Sequence, residues 1–308
     1  MALTLSVDQV DENGRELLTY GTEDFPIAFF DDDLTKVVVP PHWHDELEIV
    51  IVTKGIVHVR IAGNSFVLTA GEGYLANTGI LHAATLESKV GHQHALVFSP
   101  KAISQGQDLI WQSYIAPVFG NPHIPYIRFS SAVPWQRELL SLAEEAWNYG
   151  AYEKDDYPIK VRYCLSQTFA LIAAHGDVLE TDLYYTDKYQ RDELRVKKAL
   201  LFIEKNYDAS ITIDDIADSA GISVSTCLRL FRSLLNTTPI KYLITYRLQK
   251  AVEELNRSEH KTIAEIAYSC GFSDASYFNR CFRREFGSTP SEFKSGSRKT
   301  KDNRRCLS

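Results

Sequence analysis

The sequence predicts an α+β chain: a β-rich N-terminal part closing into a small barrel or jelly roll, a helical hairpin, and an all-α C-terminal part. Three observations carry this. From about 25 to 100, short β-branched and aromatic runs alternate with turn residues at hairpin spacing. From about 134 the apolar period changes from two to that of a helix. The C-terminal third then repeats itself with a period near fifty residues.

Bulk properties bound the reading. A length of 308 residues suits two domains, and 44% apolar with 24% charged residues is a globular composition. No apolar run approaches the roughly eighteen residues of a membrane span. The acidic N-terminus lacks a basic-then-apolar secretory layout. A cytoplasmic protein with no membrane partner is therefore expected. The five cysteines (Cys164, Cys227, Cys270, Cys281, Cys306) are odd in number and form no C-x-x-C pair, against both a disulfide framework and a zinc finger. The boundaries read as a β-rich domain with its hairpin over 1–176, a polar linker over 177–191, an all-α domain over 192–296 and a basic tail over 297–308.

The strands come first. Lys36–Val39, Leu47–Thr53, Ile56–Ile61, Ser65–Thr69, Tyr74–Asn77 and His92–Phe98 are separated by Lys54-Gly55, Gly63-Asn64 and Gly71-Glu72-Gly73. Many short strands escape exposed edges by closing on themselves. Within them stands His42-Trp43-His44-Asp45-Glu46-Leu47-Glu48, with Gly55 beyond, and later Gly71 and Gly79-Ile80-Leu81-His82. On one strand, residues 42, 44 and 48 share parity and point to one face, and His82 can approach from a neighbouring strand. This pattern resembles the cupin family, lacking the leading Gly of its first motif and carrying Asn77 for the usual Pro and Leu86 for the usual Asn of its second. Imidazoles with a carboxylate suit a transition metal. A metal-dependent cupin enzyme fused to the C-terminal module is the alternative this keeps open.

The hairpin follows. Leu139, Leu140, Leu142, Ala143, Ala146 and Trp147 make one apolar stripe, and after the acidic turn 153–156, Ile159, Val161, Tyr163, Leu165, Phe169 and Ile172 make another. Beyond the linker, Leu194, Ala199, Leu200, Ile203 and Tyr207 predict a helix over about 192–207.

Thr212-Ile-Asp-Asp-Ile-Ala217 and Thr262-Ile-Ala-Glu-Ile-Ala267 each open on an S/T-x-x-D/E capping box. Each leads to a glycine (Gly221, Gly271), an apolar residue (Ile222, Phe272) and a serine (Ser223, Ser273) suited to cap the next helix. The match continues, one residue later in the second copy, through Arg229/Arg280, Phe231/Phe282, Arg232/Arg283 and Pro239/Pro290. This is a duplicated helix-turn-helix. A helix from Pro239, capped by Thr238, to about Arg257 joins the copies, and a short one begins at Pro290, capped by Thr289 with Glu292.

Charge divides along the same line. From Arg191 on there are 21 Lys+Arg against 15 Asp+Glu, a net of +6, whereas the first 190 residues carry −13 of the total −7. A basic nucleic-acid module on an acidic regulatory one has this asymmetry. The run from Ala267 to Lys294 resembles the AraC/XylS family signature over its whole length, with Lys294 where Arg is commoner, and the resemblance covers about 193–296.

In such motifs the second helix enters the major groove. The helical period leaves Ser225, Thr226, Leu228, Arg229 and Arg232 outward in the first copy, and Ala275, Ser276, Asn279, Arg280 and Arg283 in the second. The resemblance places Ser225, Leu228, Arg229, Ala275, Ser276, Asn279 and Arg280 at base-reading positions. Arg232, Arg283, Arg284 and Lys241 suit phosphate contacts, and the tail (Arg298, Lys299, Lys301, Arg304, Arg305) suits nonspecific ones. The resemblance further implies a non-enzymatic transcription regulator, an activator or a repressor, that binds promoter half-sites in double-stranded DNA as a homodimer, with RNA polymerase as a further partner. Its cupin-like domain takes a small-molecule effector, a sugar or related metabolite. His42, His44, Glu48 and His82 then serve as hydrogen-bond partners, and Trp43 and Tyr74 stack or pack, without metal or cofactor.

Overall fold

Residues 21–37, 39–106, 108–176, 187–257 and 261–294 are described in the computed structural model. The chain divides between Glu193 and Leu194 into two units. Residues 177–186 of the linker read over 177–191, and the basic tail, fall outside the described residues.

In the first unit, β1 (Ile27–Asp33), β8 (His92–Phe98), β3 (Leu47–Lys54), β6 (Gly73–Ala76) and β9 (Tyr126–Phe129) form one antiparallel sheet in that order. A second takes the order β2 (Val39–His42), β7 (His82–Leu86), β4 (Ile56–Ile61) and β5 (Asn64–Thr69). Side chains alternate across a strand, and the two faces of the first sheet go to different cores. Ile27, Phe29, Ile49, Ile51, Leu96 and Phe98 pack with residues of α1 (Pro134–Ala151) and α2 (Tyr157–Ala174). Their neighbours Ala28, Phe30, Val50, Val52, Ala95 and Val97 pack with Val57, Val59, Ile61 and Ala84 of the second sheet. Burial on both faces is why Ile27–Phe30 of β1 and Ile49–Val52 of β3 are apolar without a break, while burial alternates along β4.

Several expectations are corrected. The predicted strand Lys36–Val39 begins only at Val39, because Asp33 caps a turn by accepting from the Thr35 amide (3.1 Å) and pairing with Lys36. Strands β1, β7 and β9 were not expected. On α2, Ile159 and Tyr163 are exposed rather than part of the core stripe.

The second unit is helical. α3 (Asp187–Lys205) begins five residues earlier than expected and buries Val196 in place of the exposed Leu194. Then follow α4 (Ile213–Ser219), α5 (Val224–Leu235), α6 (Pro239–Arg257), α7 (Ile263–Ser269) and α8 (Ala275–Phe286), with a last turn at 290–294. Both capping boxes are formed: Thr212 with Asp215 and Thr262 with Glu265. Ser223 caps α5, but Asp274, not Ser273, caps α8. The extra turn residue is the one-residue shift in the repeat. Gly221 and Gly271 sit at φ +64° and +81°, a conformation a side chain resists.

Candidate functional site

Two constellations collect the chemistry, one in each unit. In the second unit, α5 turns Cys227, Leu230, Phe231 and Leu234 inward, and α8 turns Phe278, Cys281 and Phe282 inward. The opposite faces carry Ser225, Arg229 and Arg232 on α5 and Ser276, Asn279, Arg280 and Arg283 on α8, all exposed. Thr226, Leu228 and Ala275 are half-buried. Lys241 is exposed at the first turn of α6, while a guanidinium nitrogen of Arg284 lies 4.0 Å from the Cys281 sulfur. Behind these faces, Arg247 of α6 donates from Nε to the Tyr207 carbonyl and from a terminal nitrogen to Ala209, both at 2.7 Å. Its guanidinium lies 5.9 Å from the Phe272 ring centre. Sequence reading missed Arg247; only its position opposite the second-copy glycine, invisible before folding, marks its role.

In the first unit, the histidine cluster lies between the sheets. Glu48 shares its β3 face with Val50 and Val52, which pack against the second sheet. His42 and His82 pair across β2 and β7. His44 follows in the connection, so 42, 44 and 48 do not share one strand as expected; β2 ends at His42 and β3 starts at Leu47. They meet because the chain crosses from one sheet to the other between them. Four donor atoms of His42, His44, Glu48 and His82 lie within 4.8 Å of one another. Glu48 Oε2 is 3.4 Å from His44 Nε2 and 2.6 Å from His82 Nε2.

Burial alone raises the Glu48 pKa, but the His82 charge and hydrogen bonds from His44 and His82 outweigh it and hold the carboxyl well below its usual range. Tyr74 is buried on the same side; desolvation, then the charges of Glu48 and Asp32, push its hydroxyl well above the usual tyrosine range. Trp43 is 8% exposed and offers no open stacking face. A cavity of about 420 Å³ elsewhere in the unit is lined by Ile51, Thr53, Arg137, Leu140 and Glu144, none of them in the expected effector set.

Comparison with known proteins places both constellations. Residues 25–147 match an AraC-like ligand binding domain, and residues 216–296 match a helix-turn-helix domain. The chain belongs to the AraC family of transcriptional regulators. It is 28% identical over 291 residues to the uncharacterized HTH-type transcriptional regulator YdeC of Bacillus subtilis, covering 92% of this chain and 97% of that one. To the HTH-type transcriptional activator RhaS of Salmonella schwarzengrund it is 26% identical over 274 residues, covering 88% and 92%. A solved transcriptional regulator from Chromobacterium violaceum, described by its AraC-type DNA-binding domain, is 32% identical with a TM-score of 0.33 and covers 34% of this chain and 93% of that one. Both of these full-length relatives are named as HTH-type transcriptional regulators or activators. The histidine cluster falls inside the ligand-binding match, and α5 and α8 fall inside the helix-turn-helix match. Among the described residues no helix is long and apolar enough to cross a membrane.

Proposed function

We propose that this AraC-family regulator reads promoter half-sites in double-stranded DNA as a homodimer through α5 and α8, and that a small-molecule effector in the first unit alters that reading. The observation that carries it is the repeated exposed face: Arg229 and Arg280 stand at matched positions on α5 and α8, whose opposite faces bury Phe231 in the first copy and Phe278 and Phe282 in the second. Arg reads guanine and Asn reads adenine in bidentate fashion. Arg229, Arg280 and Asn279 therefore read base edges, helped by Ser225, Thr226, Leu228, Ala275 and Ser276. Arg232, Arg283, Arg284 and Lys241 hold phosphates. Exposed Ile159 and Tyr163, one turn apart on α2, support the homodimer.

The two sheets close as a cupin-like jelly roll around His42, His44, Glu48, Tyr74 and His82, and the effector is a sugar or related metabolite. The RhaS relative is named an activator; this chain likewise activates, in the cytoplasm, by recruiting RNA polymerase. Incubating full-length protein with sheared DNA of its own organism and sequencing the retained fragments tests the reading. A few enriched promoter regions, lost in Arg229→Ala and Arg280→Ala, support it. Absence of enrichment at moderate salt overturns it.

A further inference from the structure

We propose that the groove between α1 and the helix-covered face of the first sheet, with Arg137 on its rim, binds a small organic acid: one carboxylate on an apolar body. The site goes beyond the effector reading above, because it lies on the opposite face of that sheet from the histidine cluster.

The groove is built where side chains are missing. Ile51 of β3 pairs with Gly73 of β6. A Cβ at Gly73 would collide with the Val50 carbonyl and stand 2.9 Å from Leu140 Cδ2, so the glycine lets α1 approach the sheet there. Two residues away, a Cβ at Gly71 would meet only the Ser131 hydroxyl, at 3.9 Å, and the space stays open. Arg137, Leu140, Ser141 and Glu144 stand at i, i+3, i+4 and i+7 on α1 and share one face. That face, with Ile51 and Thr53, lines a volume of about 420 Å³. Small-molecule sites run from roughly 300 to 1,000 Å³.

The lining selects the occupant by charge. Among the described lining residues Glu144 is the one carboxylate, and it is already engaged. His94 Nδ1 donates to it at 2.9 Å and Asn148 at 3.3 Å, and the His94 ring is fixed by stacking on Trp147, centres 3.5 Å apart. Among the described residues, the side chains of Thr53, Ser131, Arg137 and Ser141 have no hydrogen-bond or ion-pair partner. The unused capacity is one guanidinium and three hydroxyls, which suits an anion and repels a cation. A guanidinium fork matches a carboxylate in bidentate fashion. Arg137 does not stabilise its own helix: it is the fourth residue of α1, at the end where a cation opposes the dipole. Ile51 and Leu140, each 5% exposed, give the groove an apolar floor. An alkyl or aryl body covers that floor, and inorganic phosphate or acetate leaves it wet.

The test titrates full-length protein with 4-phenylbutyrate, read by isothermal calorimetry and by saturation-transfer NMR of the ligand. One equivalent should bind, with 4-phenylbutyramide, acetate and inorganic phosphate each weaker by roughly 10–100-fold. Arg137→Leu should weaken the acid by the same factor, and Arg137→Lys by less, because the charge survives without the fork. Ser141→Trp fills the groove from an exposed position and should abolish binding. Circular dichroism and promoter affinity check that these surface variants fold. Undiminished binding in Arg137→Leu or in Ser141→Trp overturns the proposal and moves the acid elsewhere in the protein. Equal binding of the amide or of phosphate overturns it as well, as does failure of both 4-phenylbutyrate and hexanoate to bind at millimolar concentration.

Discussion

At the scale of single residues, the second unit separates two reasons for a glycine. Gly221 and Gly271 both hold positive φ, but the position a Cβ would take is open at Gly221 and lies 2.3 Å from the Tyr207 carbonyl at Gly271. Gly221→Ala should therefore lose only the left-handed penalty, about 1–2 kcal/mol. Gly271→Ala should lose clearly more, since backbone must move. Urea denaturation of the two variants compares them, and equal losses would refute the steric account. On the recognition faces, Arg280→Ala should cost roughly 1–3 kcal/mol of binding to the captured promoter and relax choice at one base. Its exposure predicts an unchanged melting temperature. Fluorescence anisotropy against the site and its single-base variants reads both. The glycines and arginines were legible because the duplication aligns them twice. The histidine cluster was legible as a set of residue types, since H-x-H and a following Glu are rare together. Its construction was not: parity on one strand is a local rule, and here the chain leaves one sheet and enters the other between His42 and Glu48.

At the scale of elements, the helices were readable from their ends. The hydroxyls of Thr212, Thr262 and Thr289 each accept from the amide three residues on and donate to the carboxylate there, which also accepts from the cap amide. These bonds hold Asp215, Glu265 and Glu292 below their usual values of 3.8, 4.5 and 4.5. A carboxyl depressed on folding adds stability above its unfolded pKa, and that stability is lost as pH falls through the folded value. The second unit should therefore weaken as pH drops below about 4.5, and Asp215→Asn should flatten that dependence. Thermal melts across pH 2–6 check it; a slope unchanged in the variant would deny the boxes their role. Arg247 binds elements together rather than capping one. Arg247→Ala, removing two charged hydrogen bonds and a ring contact, should destabilise by about 2–4 kcal/mol. Strands were harder to read. β1 hides behind Asp31, Asp32 and Asp33, whose charges suggest a loop; yet Asp32 is buried and accepts from Gln93 on its partner strand at 3.1 Å. β7 and β9 are short, and β7 carries alanines where β-branched residues would announce a strand.

At the scale of the whole molecule, the regulatory question is how occupancy of one unit reaches the other, and chain connectivity supplies a route. α3 is one uninterrupted helix whose residues up to Glu193 belong to the first unit and whose later turns belong to the second. Glu193 is buried and accepts from the Leu81 amide at 2.9 Å. Leu81 immediately precedes His82, the histidine that lies nearest Glu48, and the Tyr189 ring of the same helix covers Gly63. The Leu81–Glu193 bond therefore ties the start of α3 to the residue next to the cluster within the first unit. Coupling of this kind is reciprocal: if loading the cluster changes promoter affinity by some factor, promoter DNA must change cluster affinity by the same factor, typically about 5–150-fold. Glu193→Ala should bring that factor close to one while leaving the unloaded protein's promoter affinity near wild type, because α5 and α8 are untouched. Promoter titrations with and without a saturating metabolite that raises the melting temperature, in wild type and variant, give the four affinities required. A wild-type factor retained in full by the variant would mean that the signal leaves the cluster by another path, and the Glu193 bond would then be a matter of stability alone.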